Sequence, residues 1–506
     1  MVKSSSRILL SLAFVFFVGL SPALAQGLSF YVSTTGNDAN PGTITDPWRT
    51  IQHAANVVTP GSTVYVRGGL YHEKVSINVS GSAAGGYITF QSYPGETAVL
   101  DGTGLKVPAD PNGMFFISNQ SYIVIKGFEI RNYKSAQQNI VPAGIFIQGA
   151  GSNIRIRNNR IHDIQTLVRT PTGGDAFGLV VYGTRAPASI NNLIIDGNEL
   201  YHLKTGSSES LALNGNVQNW RVTNNIVHDN NNIGIDAIGF EGTAPDPAFD
   251  QARDGYIGEN TVYNIDSFGN PFYGTDRSAN GIYVDGGTRI IIERNLVHHT
   301  DIGIEMASEH HGRVTSFVTA RNNLVYRSLV VGISIGGYAS SVGGTQNCQI
   351  VNNTLYDNDT LQTGSGEFQI QYHATNNLFE NNILYANSQA LFINNFTTWK
   401  TPPAHVDYNL YFSSVGADNS TWLWNNVTYS SYSSYVSGTG NDGNSPAFSD
   451  PKFLSLGTIP DLRVQSSSPA VDAGDNSLGA PIVGTVDYAG QPRAQGGQID
   501  IGAYQQ

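Results

Sequence analysis

Asp236, Asp285 and Glu305 give this sequence a route to chemistry, because their spacing places three carboxyl groups on one surface. Each follows, by one or three residues, a pair made of a small or polar residue and an apolar one. Eight such pairs align: Gly144-Ile145, Gly178-Leu179, Ser210-Leu211, Gly234-Ile235, Gly281-Ile282, Gly303-Ile304, Gly332-Ile333 and Gln369-Ile370. In a strand, alternate side chains face opposite sides. An inward apolar member therefore leaves the next residue, and the one two further on, facing outward. The first outward column reads Phe146, Val180, Ala212, Asp236, Tyr283, Glu305, Ser334, Gln371, and the second Gln148, Tyr182, Asn214, Ile238, Asp285, Ala307, Gly336, His373. Stacked strands lie ~4.8 Å apart and two residues span ~6.6 Å, so the Asp285 and Glu305 backbones stand roughly 8 Å apart, and those of Asp236 and Glu305 about 9.6 Å. Carboxyl groups separated by roughly 5 to 9.5 Å hydrolyse glycosidic bonds, one donating a proton while the other is nucleophile or base.

Three acids on adjacent rungs repel one another, so the cluster costs stability unless a cation, a proton or a task accompanies it. Glu309 and His310 follow Glu305 closely and join the group as a further acid and an orienting imidazole. Long insertions at 166–176, 243–253 and 265–280 bring aromatic and basic residues, Tyr273 and Arg277 among them. Such loops beside an acid-bearing sheet suit sugar stacking and hydroxyl recognition. The catalytic candidates are therefore Asp285, Glu305, Asp236 and Glu309. The substrate-binding candidates are Tyr283, Arg277, Tyr273, His310, Gln371 and His373.

A repeat must position these residues. One phrase, apolar-x-apolar followed by Asn-x-apolar-(His or Tyr), recurs with its Asn at 159, 198, 225, 260, 295, 323, 353 and 382, and a weaker copy spans 124–131. The base period near 28 residues, with additions, suits one coil of short strands per repeat. The expected fold is all-β: a right-handed single-stranded parallel β-helix, a solenoid with an N-terminal capping α-helix. The recurring Asn is read as the left-handed corner residue and as an amide ladder between rungs. The column His162, Tyr201, His228, Tyr263, His298, Tyr326, Tyr356, Tyr385 is read as side-chain stacking rather than a metal array. Cys348, the single cysteine, is read as core and leaves the chain without an internal disulfide.

At the start, Lys3 and Arg7 precede an apolar run from Ile8 to Leu20 and an Ala23-Leu24-Ala25 site, the pattern of a secretory signal peptide. Residues 1–25 are thus a leader, 26–115 the cap and first rungs, 116–400 the core with the acid face, and 401–506 the last rungs and closing segment. Pro47–Val58 is expected as an amphipathic helix opened by Pro47, with Trp48, Ile51, Ala55 and Val58 on one face. Net charge is −12, which disfavours nucleic acid and polyanions as partners. No later stretch suits a membrane span. The expected product is exported, extracellular or periplasmic in a bacterium, with a polysaccharide or oligosaccharide as partner. Nothing in the sequence speaks to oligomeric state.

The opening Tyr31-Val-Ser-Thr-Thr-Gly-Asn-Asp-Ala-Asn-Pro-Gly42, the helix and Gly61–Tyr71 resemble the start of secreted bacterial β-helix proteins of the pectate-lyase-like superfamily. Ser468–Asp475 with Asp500–Tyr504 resembles their closing segment. Within the core, Gly281-Ile-Tyr-Val-Asp285-Gly-Gly and Asp301-Ile-Gly-Ile-Glu305-Met-Ala-Ser-Glu309-His310 resemble the catalytic stretch of β-helical glycoside hydrolases of the β-xylosidase type. That resemblance implies Asp285 as nucleophile and Glu305 as acid/base, with Glu309 and His310 as substitutes or orienters. A hydrolase of this kind needs no cofactor. The wider superfamily implies a second reading, a polysaccharide lyase holding Ca²⁺ through Asp236, Asp285 and Glu305 with Lys204 or Arg277 as base. A third is a non-catalytic glycan-binding or surface solenoid.

Overall fold

The computed structural model describes residues 27–494 and 496–506, so the expected leader lies outside the described residues. Short strands stack into three long parallel sheets of fifteen, thirteen and twelve strands. Each coil gives one strand to each sheet: Ile190–Asp196, Glu199–Tyr201 and Leu211–Gly215 are followed by Val217–Thr223, Ile226–Asn230 and Ile235–Ile238. The result is a parallel β-helix, as the repeat predicts. Alternation explains its interior, since one inward column runs Ile156, Ile195, Val222, Ile257, Ile292, Ala320, Ile350 and all of these are buried. Each large aliphatic side chain so buried contributes roughly 1.5 to 3 kcal/mol. Cys348 belongs to the same core.

The asparagine column is a continuous ladder. Asn159 Nδ2 donates to Asn198 Oδ1 at 2.9 Å, Asn198 to Asn225 at 3.0 Å, Asn225 to Asn260 at 3.0 Å, and so on through Asn382 to Asn409 at 3.1 Å. The left-handed corner, however, falls one residue earlier than the sequence reading put it. Positive φ is carried by Asn158, Gly197, Asn224, Glu259, Arg294, Asn322, Asn352 and Asn381. The corner turns the chain so that the following Asn points inside, where only another amide can satisfy it. The neighbouring column stacks as expected from His162 to Tyr326, with ring centroids 4.7 to 5.2 Å apart. It breaks at Tyr356, which meets Tyr385 edge-on.

Both ends differ from expectation. The capping helix spans Ile51–Val57, with Thr50 as its N-cap, accepting from His53 N. Pro47 precedes it, and Trp48 is buried in extended chain paired with Val32. Glu73 takes the place of a helical first turn's own acid, accepting from the amides of Ile51 and Gln52. At the other end a helix, Tyr432–Thr439, packs Tyr435 against Trp422 of the last rung. The segment expected to close the tube instead runs back along its side: Asn322, Asn352 and Asn381 bond to Val483, Asp500 and Asp475. These asparagines stand at the outward corners and the tail buries them: the Asn322 and Asn352 amides donate to its carbonyls, and the Asn381 side-chain oxygen accepts from the Asp475 amide.

Replacing Asn225 by Ala removes its links to Asn198, Asn260 and Ile195 and leaves buried partners unpaired. A loss of roughly 2 to 4 kcal/mol is expected. Calorimetry should show a clear drop in Tm for Asn225→Ala beside almost none for the exposed Lys126→Ala; equal drops would refute the ladder's contribution.

Candidate active site

The acids sit on the thirteen-stranded sheet. Its register pairs Ala212 with Asp236, Asp236 with Tyr283, Tyr283 with Glu305 and Glu305 with Ser334, so the outward columns hold through these rungs. Asp285 stands beside Ala307, two residues along from Tyr283. The next rung departs from the sequence reading. Ser334 pairs with Gln369, not Gln371, because the inward pair there is Glu367-Phe368 rather than Gln369-Ile370. A glutamate in the place of the usual glycine hides that pair, and its carboxylate is used inside by Asn358. Gln371 nevertheless reaches the site, its Nε2 donating to Ser334 Oγ at 2.8 Å and to Glu305 Oε1 at 3.3 Å. His373 leaves the column: its φ is 58° and Nε2 meets the Ser340 carbonyl at 2.9 Å.

Asp285 is fixed by the turn after it. Gly286 has φ +75° and a Cβ there would lie 2.8 Å from the Phe240 ring, so only glycine fits. Its amide donates to the Thr315 hydroxyl at 2.7 Å, and that hydroxyl donates to the Val284 carbonyl at 2.9 Å. The loop after Glu305 folds back, and the Glu309 amide donates to Asp285 Oδ1 at 2.8 Å. His310 Nε2 lies 2.9 Å from Glu241 Oε1. Tyr283 separates Asp236 from Glu305 and packs against Ile233 and Ala307. Tyr273 enters from its loop, its hydroxyl accepting from Asn232 at 3.3 Å. Arg277 does not turn to the acids: it bonds Asp266 at 2.5 Å and the buried Asp301 at 3.2 Å, and so ties its loop down.

Residues that the sequence reading passed over complete the cluster. Glu209 precedes its strand, Asp175 lies at the end of a long loop, and Glu241 follows the Asp236 strand. Their loop positions gave no periodic signal. Together with Asp236, Asp285, Glu305 and Glu309 they make seven carboxyl groups. Among the described residues none has a lysine or arginine within 4.0 Å, and His310 is the one basic partner. Asp236 Oδ1, Asn214 Oδ1 and Asn280 Oδ1 are buried acceptors without a protein donor.

Burial and mutual repulsion favour the neutral acids. Glu305 is pushed up to about 7, first by burial, against hydrogen bonds from Asn280 and Ser334, with the Glu309 charge adding to the rise. Glu209, half-buried, is pushed up to about 8 by desolvation and then by Asp175. Asp236 rises well above the usual carboxylate range through burial and the charges of Glu209 and Asp285. Asp285 does so through burial and Glu309. Glu309, exposed at the rim, is raised by partial desolvation and Glu241.

The calcium set expected for a lyase, Asp236, Asp285 and Glu305, does not converge, because Tyr283 stands in the column between Asp236 and Glu305. The described side chains that bring three ligand atoms within 4.8 Å are Glu241, Asp285 and His310. Calcium takes six to eight oxygens, and an imidazole suits it poorly. Lys204 lines a different hollow with Arg169, Phe268 and Phe272.

Comparison with known proteins agrees with this architecture. Residues 30–173 match the family described as "Pel9A-like, right handed beta helix region", and residues 143–355 match "Right handed beta helix region". The chain is a pectate-lyase-like, right-handed parallel β-helix protein. It belongs to the family of the uncharacterized protein YwoF of Bacillus subtilis, with 39% identity over 459 residues, 91% of this chain and 95% of that one. It is also similar to pectate lyase PEL9 of Emericella nidulans, 32% identical over 206 residues, 39% of this chain and 48% of that protein. Among solved structures, pectate lyase Pel9A aligns over 96% of this chain and 98% of its own with a TM-score of 0.51 and 14% identity. XylC in complex with xylose aligns over 94% and 98%, also at 0.51 and 14%. At such identities these two likenesses concern the fold.

Raised carboxyl pKa values carry a stability cost at high pH. A glutamate near 4.5 when unfolded and about 7 when folded contributes fully below pH 4.5 and loses that contribution as pH rises through 7. Tm should therefore fall between pH 5 and pH 8, and Glu209→Gln should flatten the fall and raise Tm at pH 8. A Tm that climbs over this range would show that the cluster is compensated.

Proposed function

We propose that this protein is an exported carbohydrate-active enzyme, a glycoside hydrolase whose paired carboxyl groups cleave a polysaccharide or oligosaccharide. The observation that carries this reading is the seven-carboxyl cluster in which, among the described residues, no lysine or arginine comes within 4.0 Å of a carboxylate; the nearby Arg313 stacks over the Phe240 ring instead. Such a site supplies proton donors and carboxylates and lacks the strong base that elimination requires. Glu305, protonated near neutral pH and held by Gln371, donates its proton to the leaving glycosidic oxygen. Asp285 acts on the anomeric carbon, directly or through water, once it has given up its proton; the Glu309 amide, donating to its Oδ1, offsets part of the burial and repulsion that hold that proton. Asp236, Glu309 and Glu209 line the flanks. Tyr283 and Tyr273 offer rings and phenols to the bound sugar.

The competing reading, a calcium-assisted lyase, draws on the pectate lyases among the relatives. It is weaker here, since neither Lys204 nor Arg277 stands among the acids and the convergent ligand set includes His310.

Incubation with a panel of plant and microbial glycans should release reducing ends without absorbance near 235 nm and without loss on chelation. Asp285→Asn and Glu305→Gln should each lower kcat by about 10² to 10⁴. The kcat/KM of the wild type should fall as pH rises above about 7, where Glu305 loses its proton. Full activity in both variants would overturn the hydrolase reading. A chelator-sensitive unsaturated product would favour the lyase.

A further inference from the structure

Upstream of the acids the same outward column is apolar. Phe116, Phe146, Val180 and Ala212 occupy the rungs before Asp236. They join Ala143, Phe177 and Ile238 in a cluster separate from the core of the tube. These outward side chains are themselves nearly covered, Phe146 and Phe177 keeping 5% of their surface and Val180 none, so what the patch offers a ligand is the hollow at its edge. Its rings are ordered edge to face: Phe146 and Phe177 meet Tyr182 at 5.4 and 6.0 Å, and Phe116 stacks on Phe146 at 5.8 Å.

Phe146, Phe177 and Tyr182 line a hollow of about 150 Å³ together with Asp175, Ser208 and, from the loop before the Phe115 strand, Asp110 and Asn112. A cavity near 150 Å³ lined by apolar side chains takes one benzene ring. The hollow is not closed to the acid cluster. Ser208 donates to Asp175 Oδ1 at 3.0 Å, and Glu209 is the next residue in the chain. Three rungs, about 14 Å, separate Val180 from the Asp285 strand.

We propose that this hollow is a subsite for a hydroxyaryl group carried as an ester on the glycan, a few sugar units from the cleaved bond. The ring would lie in the hollow against the uncovered edges of Phe146, Phe177 and Tyr182, and its phenolic hydroxyl would donate to the Asp175 carboxylate. An unsubstituted sugar would put hydroxyls against the rings of Phe146 and Phe177 without partners, which is unfavourable. The glycan half of this inference rests on the proposed function; the ring-binding half does not.

Methyl 4-hydroxycinnamate is the probe, titrated calorimetrically into the full-length protein. It should bind at least about tenfold tighter than methyl cinnamate, which lacks the hydroxyl. Asp175→Asn should erase that difference, and Ala143→Phe, which fills the hollow, should abolish binding of both esters. Asp285→Asn should bind the probe as the wild type does. Equal affinity for the two esters in the wild type would overturn the hydroxyl contact, and this comparison stands even if Ala143→Phe does not fold. Absence of binding by either ester would overturn the subsite. Probe binding without glycan cleavage would leave the subsite standing and remove the hydrolase reading, while cleavage without probe binding would do the reverse.

Discussion

Parallel backbone pairing between successive coils is the constraint on which everything else depends. It sets the rung spacing at ~4.8 Å and allows no slip of one residue, since a slip would turn each inward column outward. The register is continuous from Val75 to Ile370 in the sheet that bears the acids. The asparagine ladder reinforces it, because each amide satisfies the backbone and side chain of its neighbour in the interior. With no disulfide available to Cys348, cooperative pairing and the continuous apolar core hold the chain.

A scaffold this rigid can carry a locally unfavourable site. Asp236, Tyr283, Asp285 and Glu305 are all under 8% exposed, yet the cluster has no lysine or arginine partner among the described residues. In water these acids would ionise freely; here burial and repulsion keep several of them protonated. Burial on this fixed sheet supplies what acid–base chemistry at neutral pH needs, a carboxyl that holds its proton near 7. The same rigidity lines up the apolar stretch before Asp236 with the acids after it. One face therefore presents a graded surface, aromatic at one end and acidic at the other.

Much of this was legible in the sequence because period-two alternation and a fixed corner leave little freedom. The pairing of Asp236, Tyr283 and Glu305 followed from Gly-apolar pairs alone. Where a rung lacked its glycine, at Glu367-Phe368, the reading slipped by two residues and misplaced Gln371 and His373. The corner residue was misassigned by one, because Asn158 and Asn159 are both asparagines and only the backbone tells which is left-handed. Loops carry no period, so Glu209, Glu241 and Asp175 were invisible, as was the capture of Arg277 by Asp266 and Asp301. The tail's course along the tube was hidden for the same reason, since its contacts join residues more than 90 positions apart.

The central claim is that a glycan is bound across the acid face with its cleaved bond between Asp285 and Glu305. A crystal structure of the Asp285→Asn variant with an oligosaccharide substrate tests it most directly. The expected result is a glycosidic oxygen within hydrogen-bonding reach of Glu305, with the anomeric carbon turned toward position 285. A sugar chain bound on either of the other two sheets, leaving Glu305 untouched, would contradict it.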